Sequence, residues 1–350
     1  MGLRVHAVGR PDDVGIRSRY GEISILREDK DFSALIEKIV KAGFGGSLAY
    51  VTSDYFLQLI YDGRTDILGM FNFSISPLPT LRILSDKYAT YEHAAKLGIR
   101  TPATLHLQNH DEIAPDLLPL ILKWNETPLG MRVPFKTQVF ENSESLKSIE
   151  RLPVAFHKYL LLQQLVVGTD LSYAGYFQDN REVLGCVTEK RRQYPIWGGL
   201  GSYVADYTGP AYDECLEAGR ALARNLNVNG FLEVEFKYDE HGHLYLIEAN
   251  PRIWGWAKFF KLKCENFSDV LLDKHVDPIM NQNNCKWFSL LRDGKAIWSL
   301  LRTDSVIRVM AEVFDSYQGD KIFDVFELND LRPFFHQFFK GFKRDKQPDF

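Results

Sequence analysis

The sequence lacks a pronounced excess of charge of either sign. Its 42 Lys and Arg residues are balanced by 46 Asp and Glu residues, which leaves a formal net charge of -4 at pH 7. A chain with this balance has no overall positive field that would attract nucleic acid, so any anion must be bound by local basic groups. We therefore expect no nucleic-acid partner.

Cysteine is scarce, and long apolar runs are missing. The four cysteines, at positions 186, 215, 264 and 285, have no spacing typical of a zinc or redox pair. Isolated thiols of this kind suit a reducing compartment, so we predict a cytoplasmic protein. The longest apolar stretches, such as 159–162, are far shorter than the roughly 20 residues that span a bilayer. The first residues also lack the apolar stretch of a signal peptide.

What remains is the composition of an ordinary globular protein, with 45% hydrophobic and 25% charged residues. At about 100–200 residues per domain, 350 residues suggest two or three domains. The first 85 residues place strand-like runs at 3–8 and 48–52 around a helical pattern at 33–42. Such alternation predicts an α/β unit with a parallel sheet. Further on, Ser85 is a candidate N-cap for a helix over 86–97.

Two alternating runs near residue 240 predict a β-hairpin. They flank His241-Gly242, which reads as a two-residue turn because glycine tolerates a positive φ. That turn would place Tyr245 opposite Tyr238. Further along the same register, Glu248 would lie opposite Glu235, and Asn250 opposite Glu233.

The predicted hairpin gathers acidic side chains on one face, because successive strand residues alternate between faces. Like charges directly opposite each other destabilise a strand pair, and a cation would remove that penalty. Magnesium favours oxygen ligands and is usually held by one or two carboxylates plus substrate phosphates. We therefore predict Glu235, Glu248 and Asn250 as ligands of Mg²⁺, with Mn²⁺ as an alternative ion. The competing interpretation is a solvated acidic face.

Five short segments occur in a characteristic order, and the last of them belongs to the predicted hairpin. Leu-Ser-Asp-Lys at 84–87 precedes Gly-Ile-Arg-Thr-Pro at 98–102, and an apolar run at 120–123 then ends in Lys123. Another apolar run leads into Gln-Leu-Val-Val-Gly-Thr-Asp at 164–170, and Glu-Ala-Asn-Pro-Arg occupies 248–252. With these segments in this order, the chain resembles the ATP-grasp superfamily of carboxylate–amine and related ligases over roughly residues 80–255.

The resemblance implies an α/β (α+β) protein with the ATP-grasp fold in three parts. Residues 1–85 would form an abbreviated N-terminal α/β pre-ATP-grasp domain, 86–165 the small subdomain, and 166–350 the large subdomain with the metal-binding hairpin and a helical C-terminal region. Ser18-Arg19 and Thr52-Ser53-Asp54 resemble the D-aspartate-ligase-like branch. By that comparison the first strand of the N-terminal domain and its glycine loop are missing.

Nucleotide-binding residues also follow from the resemblance. Lys87 and Lys123 would bind the phosphates of ATP, for which lysine is suited as a flexible point charge. Gln164, Leu165 and Val166 would hydrogen-bond adenine by side chain and backbone. Asp170 would accept hydrogen bonds from the ribose hydroxyls.

Catalytic residues come from the Glu248–Arg252 segment. Glu248 and Asn250 would act through the metal, and the guanidinium of Arg252 would stabilise the acyl phosphate or the transition-state charge. The implied reaction activates a small carboxylate with ATP and joins it to an amine. The acceptor that provides this amine would be an amino acid or an amino sugar. The alternatives are an ATP-grasp carboxylase, a small-molecule kinase and a non-catalytic nucleotide-binding protein.

Four other places in the sequence have more than one interpretation. The loop at 124–132 contains one glycine, and either covers the phosphates or is an ordinary connection. Lys136 and the charged run at 189–192 either contact an anion or are simply solvated. The aromatic and basic stretch at 331–344 carries Phe335, Phe338, Phe339 and Phe342 on one helical face. It would be a docking helix or a subunit contact of a homodimer, or else lie on a membrane surface.

Overall fold

The computed structural model describes residues 3–108, 118–129, 131, 133–196, 198–273 and 275–343. Residues 130 and 132 of the predicted loop and residue 344 of the aromatic stretch lie outside the described part. No helix within these ranges is long and apolar enough to cross a membrane.

The N-terminal region contains two separate pairs of parallel strands, whereas the alternating pattern predicted one parallel sheet. Their strands are β1 (His6–Gly9), β2 (Glu22–Ile25), β3 (Leu48–Ala49) and β4 (Asn72–Phe73). A four-stranded antiparallel sheet follows in the order β5-β8-β6-β7. It consists of β5 (Thr104–His106), β6 (Leu120–Trp124), β7 (Thr137–Phe140) and β8 (Leu160–Gln164). The domain boundaries given above stay a prediction.

A seven-stranded sheet carries the predicted hairpin, in the order β13-β12-β9-β10-β11-β14-β15. All its neighbours are antiparallel except β14 and β15. Its strands are β9 (Thr169–Gln178), β10 (Arg181–Tyr194), β11 (Leu200–Asp206), β12 (Gly230–Tyr238), β13 (Leu244–Asn250), β14 (Cys285–Phe288) and β15 (Asp320–Phe323).

Helices cover the sheets and also occur in the C-terminal region. They are α1 (Phe32–Ile39), α2 (Asp54–Gln58), α3 (Leu78–Ser85), α4 (Lys87–Lys96), α5 (Ser143–Leu146), α6 (Val154–His157), α7 (Tyr212–Asn225), α8 (Phe260–Lys263), α9 (Phe267–Leu272), α10 (Leu290–Leu300), α11 (Val306–Ser316) and α12 (Arg332–Lys343).

The predicted N-cap Ser85 is wrong. Asp86 caps α4, because its carboxylate accepts a hydrogen bond from Ala89 N at 2.8 Å.

The hairpin of β12 and β13 corrects one part of the prediction and confirms another. The turn is longer than two residues, since Tyr238 pairs with Leu244 rather than Tyr245. A β-bulge between Glu235 and Phe236 in the pairing then shifts the register by one residue. Glu235 therefore lies opposite Glu248, as predicted.

The two faces of the seven-stranded sheet have different coverings. One face packs against α7, whose Cys215, Leu222 and Ala223 are buried. Gly219 permits this close approach, because a Cβ atom there would lie 2.2 Å from the ring of Tyr173. The other face carries the acidic residues at one end and packs against Trp254 and other aromatic residues at the other.

The C-terminal helices are joined to the sheet by a buried ion pair. Arg192 donates two hydrogen bonds to the carboxylate of Asp293, both at 2.9 Å, and the Asp293 side chain is 0% exposed. Ser202 and Tyr317 donate to the same carboxylate at 2.9 Å. Arg192, which belongs to the charged run at 189–192, is thus committed to α10 and does not face the predicted site.

Helix α12 lies against the N-terminal region. Lys340 donates to the carbonyl of Asp12 at 2.6 Å, and Phe334 packs edge-on against Phe326. Phe335, Phe338 and Phe339 remain partly exposed, at 49%, 38% and 63%. The helix is therefore anchored on one side. Whether its exposed aromatic side binds a partner or a membrane stays a prediction.

We predict that Asp293→Asn destabilises the protein by about 3–5 kcal/mol, because it removes the buried carboxylate that neutralises Arg192 and leaves only the more exposed Glu312, at 3.3 Å. Equilibrium unfolding in urea would measure the loss. The matched control is Asp66→Asn, since Asp66 forms an equally bidentate but exposed pair with Arg64. The control is expected to unfold like the unchanged protein, and equal stability of both variants would contradict the importance of the buried pair.

Candidate active site

Four acidic or amide side chains meet on one face of the β12–β13 hairpin. Glu235 is paired with Glu248, and Glu233 with Asn250. The Asn250 amide nitrogen donates to both Glu233 and Glu235 at 3.2 Å. The face predicted from strand alternation is therefore present, with two like charges on opposed positions about 5 Å apart at Cβ.

Glu233 is held below the site. Its side chain is 5% exposed and accepts a hydrogen bond from Trp256 Nε1 at 2.7 Å. Burial raises the pKa of Glu233 to about 8, and the nearby charge of Glu235 adds to this rise. Trp256 is thus a core residue that also orients a carboxylate.

Glu235 and Glu248 differ in their electrostatic surroundings. Burial and the charge of Glu248 raise the pKa of Glu235, although Lys190 opposes the rise. Burial would also raise the pKa of Glu248, but Lys87 and Lys123 outweigh it, so this pKa is lowered. Glu248 is therefore the better neutralised of the two carboxylates.

The two predicted phosphate lysines lie beside Glu248. Lys87 Nζ is 3.3 Å from Glu248 Oε1, and this charge raises the pKa of Lys87 although burial opposes it. Lys123 is the penultimate residue of β6 and reaches across to β13, with Tyr91 Oη at 2.5 Å and the carbonyl of Ile247 at 3.3 Å. Burial, and then the charge of Lys87, lower the pKa of Lys123 to about 7. The start of α4 and the four-stranded sheet thus bring two cations together beside a carboxylate of the seven-stranded sheet.

The donor chemistry of this face suits magnesium. Within the described residues, no three His, Cys, Asp or Glu side chains gather as a metal-ligand group. The predicted set has another composition, two opposed carboxylates and one amide, and leaves positions for phosphate oxygens. Asn250 presents its nitrogen to Glu235, so its amide would have to turn about the Cβ–Cγ bond to ligate through oxygen. With that turn, Glu235, Glu248 and Asn250 fit Mg²⁺, and Mn²⁺ accepts the same oxygen donors.

The predicted adenine segment follows β8. The N–H groups of Gln164 and Leu165 are taken by the carbonyls of Ala103 and Pro119, at 2.8 and 2.9 Å. They are therefore not free to donate to adenine, which corrects that part of the prediction. The Gln164 side chain, the Leu165 carbonyl and the backbone of Val166 remain as candidate contacts.

Asp170 lies at the start of β9 between two lysines. Lys237 Nζ is 2.9 Å and Lys190 Nζ 3.6 Å from the same carboxylate oxygen. A ribose hydroxyl would share this carboxylate with the lysines. Lys190 also faces Glu235, whose charge helps to raise the pKa of Lys190 against the effect of burial. Of the charged run at 189–192, Lys190 therefore borders the predicted site.

The loop after β6 is attached at its beginning. The Asn125 side chain accepts from Tyr88 N at 2.9 Å, at the N-terminus of α4, and Glu126 accepts a hydrogen bond from Tyr61. Leu129 packs against the N-terminal core. Lys136, at the far end of the loop, is close enough to influence the charges of Glu235 and Glu248. Coverage of phosphates by this loop stays a prediction.

Arg252 has a partner that the sequence analysis did not identify. Its Nε and one Nη donate to the two carboxylate oxygens of Asp54, each at 2.6 Å. The same Nη lies 3.3 Å from the side-chain oxygen of Asn250. Asp54 and Arg252 are 198 positions apart, so no local pattern could have paired them. The same applies to Tyr91 and Lys123.

Comparison with known proteins finds the fold. No protein-family model and no curated protein sequence matches the chain. The ADP complex of purK, an N5-carboxyaminoimidazole ribonucleotide synthetase, matches with a TM-score of 0.63 at 14% identity, over 79% of this chain and 72% of that one. The same synthetase from Thermus thermophilus matches with a TM-score of 0.60 at 17% identity. This match covers 80% of this chain and 74% of that one.

A biotin carboxylase domain has a similar structure. The dimer of this domain from the 2-oxoglutarate carboxylase of Hydrogenobacter thermophilus, in complex with MgADP and bicarbonate, matches at a TM-score of 0.59 and 14% identity. The match covers 75% of this chain and 62% of that one. These likenesses show that the chain has the ATP-grasp fold, which confirms the predicted fold class.

We predict that Glu235→Gln abolishes most of the stabilisation by MgADP without destabilising the free protein. The variant loses a metal oxygen, but it also removes a charge whose raised pKa shows that the fold disfavours it. Thermal unfolding with ADP, in magnesium and in EDTA, would measure both effects. With MgADP at 100 times its Kd, the free energy of unfolding of the unchanged protein should rise by about 2.7 kcal/mol.

The control is Glu240→Gln at the exposed hairpin turn, where Glu240 is 88% exposed. It should respond to MgADP like the unchanged protein. A full magnesium-dependent shift in the Glu235 variant would contradict the assignment of this carboxylate to the metal.

Proposed function

We propose that the protein is an ATP- and magnesium-dependent ligase that joins a small carboxylate to an amine through an acyl phosphate. The observation that carries the proposal is the pair of opposed carboxylates, Glu235 and Glu248, faced by Lys87 and Lys123. This arrangement combines oxygen ligands for a cation with positive charge for phosphates, which phosphoryl transfer requires.

The proposed reaction has two steps. A carboxylate oxygen of the substrate attacks the γ-phosphorus of ATP, the bond to the β-phosphate oxygen breaks, and ADP leaves. The amine nitrogen then attacks the acyl carbon, phosphate leaves, and the nitrogen loses a proton to give the amide. Dividing the condensation in this way replaces one difficult step by two easier ones.

The residues of the chain act by holding and neutralising the reactants. Lys87 and Lys123 would bind the phosphates, Gln164, Leu165 and Val166 the adenine, and Asp170 the ribose. Glu235, Glu248 and Asn250 would hold magnesium, which when bound neutralises the phosphate charge.

Arg252 would stabilise the charge on the transferred phosphoryl group. Support for this role comes from its position, two residues after Asn250 and in contact with that side chain.

The identity of the two substrates is the finer part of the proposal. The Ser18-Arg19 and Thr52-Ser53-Asp54 motifs resemble those of the D-aspartate-ligase-like branch, which favours an amino acid or an amino sugar as the amine. A second candidate uses bicarbonate as the carboxylate, so that the product is a carboxylated amine. The likeness to a synthetase that makes a carboxyamino compound and to a biotin carboxylase with bicarbonate supports it.

We predict magnesium-dependent release of ADP when the protein meets its own carboxylate and amine. Pools of carboxylates, with and without bicarbonate, would be combined with pools of amino acids and amino sugars, and ADP measured by a coupled assay. Mass spectrometry of the active pool distinguishes an amide from a carboxylated amine, while a phosphorylated product without a new C–N bond indicates a kinase.

The Glu235→Gln variant sets the background of the screen, because it retains the lysines but lacks one metal ligand. ADP release that requires both pools and exceeds this background supports the ligase. Release no greater than that of the variant with every pool would count against a ligase of these metabolite classes.

A further inference from the structure

One motif of the N-terminal region contacts the proposed active site. Ser53 caps α2, with its hydroxyl accepting from Phe56 N at 3.3 Å, and this turn presents Asp54 at the first position of the helix. Immediately before it, the carbonyl of Val51 accepts a hydrogen bond from Ile253 N at 3.0 Å. The segment 51–54 is therefore fastened alongside the strand end that bears Arg252.

The pair of Asp54 and Arg252 has the geometry of a fork meeting a carboxylate. Two parallel hydrogen bonds of 2.6 Å use Nε and one Nη of the guanidinium. That Nη also approaches Asn250 Oδ1, and the other Nη donates to the carbonyl of Ile253 at 3.3 Å. Such bidentate contacts fix the plane of an arginine as well as neutralising it.

The exposure of the two partners is unequal. The Arg252 side chain is 15% exposed, whereas that of Asp54 is 69% exposed. Exposed ion pairs contribute little to stability because solvent screens them. The pair therefore contributes little to the free energy of unfolding. It does orient a nearly buried guanidinium beside the acidic face.

We propose that Asp54 is a positioning residue that holds the Arg252 guanidinium where it meets the transferred phosphoryl group. This inference rests on the proposed function and adds a contribution of the N-terminal region to its chemistry. Asp54 itself touches neither nucleotide nor metal in this account. It acts through Arg252. The two hydrogen bonds to Asp54 fix the plane of the guanidinium and so set the direction of the N–H that remains on Nη.

Substitution of Asp54 should weaken binding of a transition-state mimic without weakening nucleotide binding. Asp54→Asn keeps the size of the side chain but replaces one acceptor oxygen by an amide nitrogen, which donates and cannot accept from Arg252. The probes are MgADP alone and MgADP with aluminium fluoride, which imitates the phosphoryl group during transfer, both measured by calorimetry. Affinity for the second should fall by about 10- to 100-fold, as when a charged hydrogen-bond partner is lost, while affinity for MgADP is unchanged.

Two further variants separate positioning from general damage. Asp66→Asn makes the same change in a bidentate pair with Arg64 elsewhere in the N-terminal region, and should alter neither affinity. Asp54→Glu restores a carboxylate on a longer arm and should recover part of the affinity for the aluminium fluoride complex. Thermal unfolding is expected to give equal midpoints for the Asp54 and Asp66 variants.

The outcomes distinguish this inference from the proposed function. If the unchanged protein fails to bind MgADP, the proposed function fails. If it binds both probes and Asp54→Asn does so equally well, the positioning role is overturned and the function stands. Loss of MgADP affinity, a lowered unfolding midpoint relative to Asp66→Asn, or no recovery in Asp54→Glu would each overturn the positioning role in favour of a structural one.

Discussion

Two like charges held opposite each other on neighbouring strands are the constraint on which the site depends. The backbones at Glu235 and Glu248 are held opposite each other, because β12 and β13 are paired on either side of them. Lysines compensate the two negative charges unequally. Lys87 and Lys123 lie beside Glu248, and Lys190 lies beside Glu235. A divalent cation would neutralise both carboxylates at once, so the arrangement is most simply explained as a place for one.

The fold brings the compensating charges from separate parts of the chain. Lys123 comes from the four-stranded sheet, Lys87 from the start of α4, and Arg252 from the end of β13. Asp54 adds a contact from the N-terminal region. The candidate site therefore lies where the two larger sheets and the N-terminal region meet.

Local sequence patterns predicted the elements that depend on neighbouring residues. Alternation placed Glu233, Glu235, Glu248 and Asn250 on one face, because strand periodicity is a local property. The predicted turn was too short, yet the register at Glu235 was right, since a bulge restored it by one residue. Contacts between distant residues, such as Arg252 with Asp54 and Arg192 with Asp293, had no local signature. They required the three-dimensional arrangement of the chain.

We propose that Glu235 and Glu248 hold a divalent cation together with the phosphates of ATP. Anomalous scattering from crystals grown with Mn²⁺ and a non-hydrolysable ATP analogue tests it most directly. We expect a manganese peak between the two carboxylates and the phosphate oxygens, with the Asn250 amide turned so that its oxygen faces the ion. Nucleotide bound without a peak at these carboxylates, or with manganese held by other residues, would contradict it.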